Sequence, residues 1–180
     1  VPAIVKGDFI CEGCSSLRSL KGGPQVVNGN YNCSFCSLIK SLEGGPQKVG
    51  ISMDLSWCKR LTTLQGAPAE LRKVLNCNHC TSLTSIELPV TLQKIGANAF
   101  NGNKTLKDVW LPSSLNYIGD GAFVDCADDL NFRLSSTSYF NWVDNCLFAT
   151  VFSIKALTSV WILPAIFCLA SCKACILAAS

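Results

Sequence analysis

Residues 9–74 read FICEGCSSLRSLKGGPQVVNGN, YNCSFCSLIKSLEGGPQKVGIS and MDLSWCKRLTTLQGAPAELRKV, three units of 22 residues that align without a gap. The same step carries Cys14 to Cys36, Cys58 and Cys80, Leu17 to Ile39, Leu61 and Leu83, and Leu20 to Leu42, Leu64 and Ile86. Gly22, Gly44 and Gly66 recur with it, as do Pro2, Pro24, Pro46 and Pro68, and these mark the turns. Two further columns, Phe9/Tyr31/Met53/Leu75 and Cys11/Cys33/Leu55/Cys77, stand two residues apart, the spacing of inward-facing strand positions. A fixed period of this length means that each unit is one coil which cannot bury its apolar edge alone, so stacked coils supply the core.

From residue 83 the period lengthens to 23 and the wording changes. LTSIELPVTLQKIGANAFNGN is followed by LKDVWLPSSLNYIGDGAFVDC, pairing Ile86 with Val109, Leu88 with Leu111, Pro89 with Pro112, Ile95 with Ile118, Phe100 with Phe123 and Asn103 with Cys126. A third copy begins with Leu130, Phe132 and Leu134, after which the pattern fades. Residues 83–134 resemble the BspA-like class of bacterial leucine-rich repeats, with its L-x-x-I-x-L-P-x-x-L-x-x-I-G-x-x-A-F-x-x-C pattern. Residues 2–82 resemble a shorter 22-residue relative found in bacterial and phage repeat proteins. The resemblance implies a right-handed leucine-rich solenoid over residues 1–134, mostly β and turn, with parallel strands on one face. It also implies a cell-surface or secreted protein that binds other molecules without catalysis.

Composition agrees with a folded, non-nucleic-acid-binding chain. Hydrophobic residues make up 49% of the 180, and 15 basic side chains face 12 acidic ones. That is enough apolar surface to offset ordering entropy, and too little positive charge to displace many DNA counterions. The chain is expected to be monomeric and to need no cofactor.

Twelve cysteines demand an explanation. Cys11-x-x-Cys14 and Cys33-x-x-Cys36, 18 residues apart, fit a zinc template, and Cys77-x-x-Cys80 adds a third pair. Against zinc stands Leu55, which occupies the column of Cys11 and Cys33 while Cys58 and the rest of the unit stay in place. A leucine cannot ligate metal but can fill a core. The favoured reading is a ladder of buried structural thiols, in which Asn103 takes the polar position of a coil bend. The alternatives are zinc binding or thiol redox chemistry through the C-x-x-C pairs.

The position before the second cysteine reads Gly13, Phe35, Trp57 and His79, a column predicted to face solvent. Such rings either form a contact strip for a partner or stack on one another. Beside them run the strand-midpoint residues Ile10, Asn32, Asp54 and Asn76, and Trp110 is a further exposed aromatic. The candidate ligand strip is therefore Phe35, Trp57, His79, Asn32, Asp54, Asn76 and Trp110, and the expected ligand is a protein or a glycan. A purely structural spacer within a longer array is the remaining reading. His79 is the only histidine, Asp128 and Asp129 are adjacent acids at a turn, and the paired glycines precede proline, so no nucleophilic triad, glycosidase pair or phosphate loop is expected.

Pro2, Val5, Gly7 and Phe9 match Pro24, Val27, Gly29 and Tyr31, so the chain is expected to open in mid-coil as a fragment or trimmed form. Residues 135–180 are read as a hydrophobic, helical tail. Residues 147–172 are long enough to span a membrane if Lys155 snorkels. A helix capping the solenoid and an extension outside the selected reading frame are the other two readings of this tail.

Overall fold

The computed structural model describes residues 3–71 and 73–134, and the hydrophobic tail lies outside the described residues. These residues form a parallel β-solenoid with no helix. Its strands are β1 (Ile4–Val5), β2 (Phe9–Ile10), β3 (Val26–Val27), β4 (Tyr31–Asn32), β5 (Lys48–Val49), β6 (Ser52–Asp54), β7 (Glu70–Leu71), β8 (Val74–Asn76), β9 (Ser85–Glu87), β10 (Lys94–Ile95), β11 (Asp108–Leu111), β12 (Tyr117–Ile118) and β13 (Asn131–Leu134). Each is short because a coil must bend again within a few residues.

Six strands, one from each successive turn, pair in the order β12-β10-β8-β6-β4-β2 and form the continuous spine of the fold. Its register sets Phe9 on Tyr31, Tyr31 on Met53 and Met53 on Leu75, as the repeat columns require. Alternation does the rest: Tyr31, Met53 and Leu75 point inward and are at most 2% exposed, while their neighbours Asn32, Asp54 and Asn76 look outward.

The strands do not lie on one face, as the repeat alone suggested. A four-stranded sheet (β1-β3-β5-β7) serves the 22-residue units, and a three-stranded sheet (β9-β11-β13) serves the 23-residue units. The exchange has a local cause. In the short units Leu20, Leu42 and Leu64 are followed two residues later by Gly22, Gly44 and Gly66, all at positive φ, so the chain turns before a strand can extend. At Gly66 a Cβ would also stand 2.5 Å from the Glu43 backbone nitrogen, so only glycine permits the coils to stack there. In the long units Ile86-Glu87-Leu88 and Val109-Trp110-Leu111 run on to a proline, leaving room for strands. Where the first sheet stops, the Thr91 hydroxyl replaces the missing strand: it accepts the Leu71 N–H at 3.0 Å and donates to the Ala69 carbonyl at 2.9 Å.

The core is a set of stacked columns. Ile39, Leu61 and Leu83 are fully buried, as are Leu42 and Leu55, and Ile86, Val109 and Leu106 continue them into the longer units. Each buried leucine contributes roughly 1.5–3 kcal/mol of transfer free energy that no coil could realise alone.

Candidate functional site

Two features occupy the bend that follows the six-stranded sheet, the cysteine columns inside and the aromatic column outside. Inside, the second cysteine column donates to carbonyls of the coil before it from Cys36 onward. Cys36 Sγ reaches the Cys11 oxygen at 3.1 Å, Cys58 the Cys33 oxygen at 3.2 Å and Cys80 the Leu55 oxygen at 3.0 Å. Cys126 reaches the Phe100 oxygen at 3.2 Å. Asn103 holds the same place, its Nδ2 donating to the Cys77 carbonyl at 2.9 Å and to the Phe100 carbonyl at 2.7 Å. Its Oδ1 is buried without a hydrogen-bond partner. Burial pushes the Cys58 thiol up to about 12, and Cys77 moves in the same direction for the same reason. Both are therefore neutral at physiological pH and poor nucleophiles.

The cysteines of the zinc alternative do not share one arrangement. Cys11 and Cys33 bring their sulfurs to 2.7 Å, Cys36 turns toward the Cys11 carbonyl, and Cys14 is exposed. Among the described residues no three Cys, His, Asp or Glu side chains are grouped to hold a metal ion.

Outside, the column Gly13, Phe35, Trp57, His79, Gly102 and Asp125 has a left-handed backbone throughout, with φ of 58° at Phe35, 62° at Trp57 and 56° at His79. Glycine fits that conformation freely, whereas a bulky residue pays a steric cost of order 1 kcal/mol. The conformation is imposed from two sides. The side-chain oxygens of Asn32, Asp54 and Asn76 accept the N–H of Ser34, Ser56 and Asn78 at 2.9, 2.8 and 3.1 Å, closing Asx turns one residue ahead of each ring. The Phe35, Trp57 and His79 amides then donate at 2.8 Å to Ser56, Asn78 and Asn101 of the next coil.

The rings stack. Phe35 and Trp57 lie 5.8 Å apart at 4°, Trp57 and His79 4.3 Å apart at 6°, and Lys59 Nζ sits 5.3 Å from the Trp57 ring centre. His79 lies over Gly102, where an added Cβ would stand 3.1 Å from the imidazole, and its Nδ1 pairs with Asn78 Oδ1. Phe35 remains 49% exposed.

The structure thus brings Phe35, Trp57 and His79 together and seats Asn32, Asp54 and Asn76 directly behind them as turn-makers. Asn32 and Asn76 use their amides sideways as well, to Glu12 at 3.2 Å and Asp54 at 3.3 Å. Trp110 belongs elsewhere. It lies on β11 in the three-stranded sheet, between Glu87 and Arg133 in register, with the Arg133 guanidinium 5.5 Å from its ring centre and paired to Asp108 at 2.9 Å. The turn-making role of Asn32, Asp54 and Asn76 was missed in the sequence, although its signal, Asx followed two residues later by Ser or Asn and then a left-handed residue, is visible there.

Residues 75–162 match, in six copies, the family model described as the BspA type leucine-rich repeat region. No curated protein and no solved structure matches the chain.

Proposed function

We propose that this chain, whose residues 75–162 are BspA-type leucine-rich repeats, is a non-catalytic recognition module that engages a protein ligand through Phe35, Trp57 and His79. The observation that carries the reading is the occupancy of a left-handed column by three large rings, where the neighbouring coils use Gly13 and Gly102. Strained positions of this kind persist where something compensates for them, and a partly exposed aromatic row beside the cation of Lys59 is the composition of a binding hot spot.

The stacking favours a protein over a glycan as ligand. A sugar packs on an aromatic face, yet both faces of Trp57 are covered, by Phe35 and by His79. What the row offers is ring edges and an indole rim, which suit the side chains of a protein partner. One observation keeps a glycan as the second reading: Gly13 sets no side chain against the other side of Phe35, leaving one platform. A surface or secreted setting accords with the repeat class.

The test uses proteins and glycans captured on the immobilised full chain, with affinities remeasured by calorimetry for Phe35→Ala and Trp57→Gly. Loss of more than about 2 kcal/mol of binding, with an unchanged circular dichroism spectrum, is expected for the true ligand. Unchanged affinity in both variants refutes the strip and leaves the spacer reading.

A further inference from the structure

We propose that Cys11 and Cys33 are a modification site: an inter-coil disulfide that forms by exchange with a small-molecule disulfide and locks two consecutive coils together. Strand register brings the two cysteines together. β2 and β4 pair Ile10 with Asn32, and the Cys11 amide donates to the Asn32 carbonyl at 2.8 Å, so the two cysteines stand side by side on neighbouring parallel chains. That spacing of about 5 Å between adjacent strands lies within the range a disulfide bridges. Their sulfurs lie 2.7 Å apart, well inside the ordinary contact of two unbonded sulfur atoms.

The pair stands alone in its column among the described residues. Cys33 faces Leu55 in the following coil, so Cys11 is its one thiol neighbour along the column, and Cys77 lies between Leu55 and Phe100 and has none there. The thiols of Cys36, Cys58, Cys80 and Cys126 in the other column are each aimed at a carbonyl oxygen at 3.0–3.2 Å, whereas Cys11 Sγ lies 3.4 Å from the Asn32 carbonyl and nearer to Cys33 Sγ, at 2.7 Å. The roles within the pair also differ. The hydrogen bond from Cys33 holds the Cys11 thiol below its ordinary value, while that same bond and burial hold Cys33 well above it. Cys11 is the half-buried member and Cys33 the fully buried one.

The exchange follows from those roles. The Cys11 thiolate attacks one sulfur of the small disulfide, forming a mixed disulfide and expelling one small thiolate. That thiolate takes the Cys33 proton. The Cys33 sulfur then attacks Cys11 Sγ, closing the protein disulfide and expelling the second small thiolate. Two protein thiols have lost two electrons and two protons, and one small disulfide has become two small thiols.

The experiment incubates reduced full-length chain with oxidised glutathione, caps remaining thiols with N-ethylmaleimide, and maps unreduced tryptic peptides by mass spectrometry. The expected product joins peptide 7–18 to peptide 22–40 through Cys11 and Cys33, with Cys77 recovered capped after denaturation. The map distinguishes this bond from any formed by Cys146, Cys168, Cys172 or Cys175. Recovery of Cys11 and Cys33 both capped, a glutathionylated Cys11 that never resolves, or bonds closed within each C-x-x-C would each overturn the proposal. Oxidation should also raise Tm by roughly 5–10 °C. That rise should vanish in Cys11→Ala, which leaves the buried Cys33 in place; a rise of equal size in the variant refutes the assignment.

Discussion

The aromatic column predicts an inversion of the usual ranking of alanine and glycine. Trp57 has φ of 62° and lies between Phe35 and His79. Replacing it by alanine or by glycine removes the same two ring stacks, worth about 0.5–1.5 kcal/mol each, and the same Lys59 contact. Those losses cancel when the two variants are compared. What remains is backbone. A Cβ in the left-handed region costs about 1–2 kcal/mol, whereas glycine costs about 0.4–1 kcal/mol more in unfolded-chain entropy. Trp57→Gly should therefore be more stable than Trp57→Ala by roughly 0.5–1 kcal/mol, or about 1–4 °C in Tm for a chain of this size. Urea titrations followed by far-ultraviolet circular dichroism measure the difference directly, since neither variant retains the indole. If alanine equals or exceeds glycine, the position carries no left-handed strain, and the inference that the rings are compensated there collapses. Gly102, the next glycine in the column, supplies the control: Gly102→Ala should be destabilising, from its φ of 75° and its contact with the His79 ring.

The remaining predictions concern the bend and the ladder. Asn103→Cys keeps a donor for the Cys77 carbonyl and removes the orphaned Oδ1, so stability should hold or rise by up to about 1 kcal/mol, whereas Asn103→Leu removes both amide donors, leaving the Cys77 carbonyl with the Cys80 amide and the Phe100 carbonyl with the Cys126 thiol, and should cost about 1–3 kcal/mol in urea midpoint analysis. Asp54→Asn preserves the oxygen that accepts the Ser56 amide and should be near neutral. Asp54→Ala should cost about 1 kcal/mol and speed hydrogen exchange at Ser56, and unchanged exchange there would contradict the Asx turn. The folded Cys58 thiol titrates near 12 against an ordinary 9.0, so its contribution is complete below pH 9 and is lost as pH rises from 9 toward 12. The slope should approach 1.4 kcal/mol per pH unit for that thiol. Cys58→Ala should flatten the decline measured between pH 8 and 10, and an equally steep decline would refute the assignment.

The inward columns were legible in the sequence because burial tolerates only a few side chains, and the repeat prints that constraint several times over. The outward positions carried less. Asn32, Asp54 and Asn76 read as ligand contacts because amides and carboxylates suit an exposed strand, but the same groups also close a turn two residues ahead, and residue type alone does not choose between these uses. Trp110 reads from the sequence as an exposed aromatic between inward Val109 and Leu111, with Glu87 and Arg133 in the equivalent places, but the repeat does not say that this strand lies in a sheet apart from the bend aromatics. The turn glycines decide that: where Gly22, Gly44 and Gly66 intervene there is no strand, and where the chain runs on to Pro112 there is one, in a separate sheet.

The cysteine pairs show how one motif can arise from two independent requirements. The column of Cys11, Cys33, Leu55 and Cys77 continues as Phe100 and Phe123, whose rings stack 5.2 Å apart. Its demand is apolar volume, which thiol, isobutyl and phenyl groups all satisfy. The column of Cys36, Cys58 and Cys80 continues as Asn103 and Cys126, and its members share a donor aimed at the first column's carbonyl one coil earlier. Leucine therefore replaces cysteine only in the first column and asparagine only in the second. Cysteine is small, apolar enough to bury and able to donate, so it satisfies both demands, and where it fills both columns of one coil the sequence spells C-x-x-C. A zinc site would require the two columns to vary together; Leu55 beside Cys58, and Phe123 beside Cys126, show them varying apart.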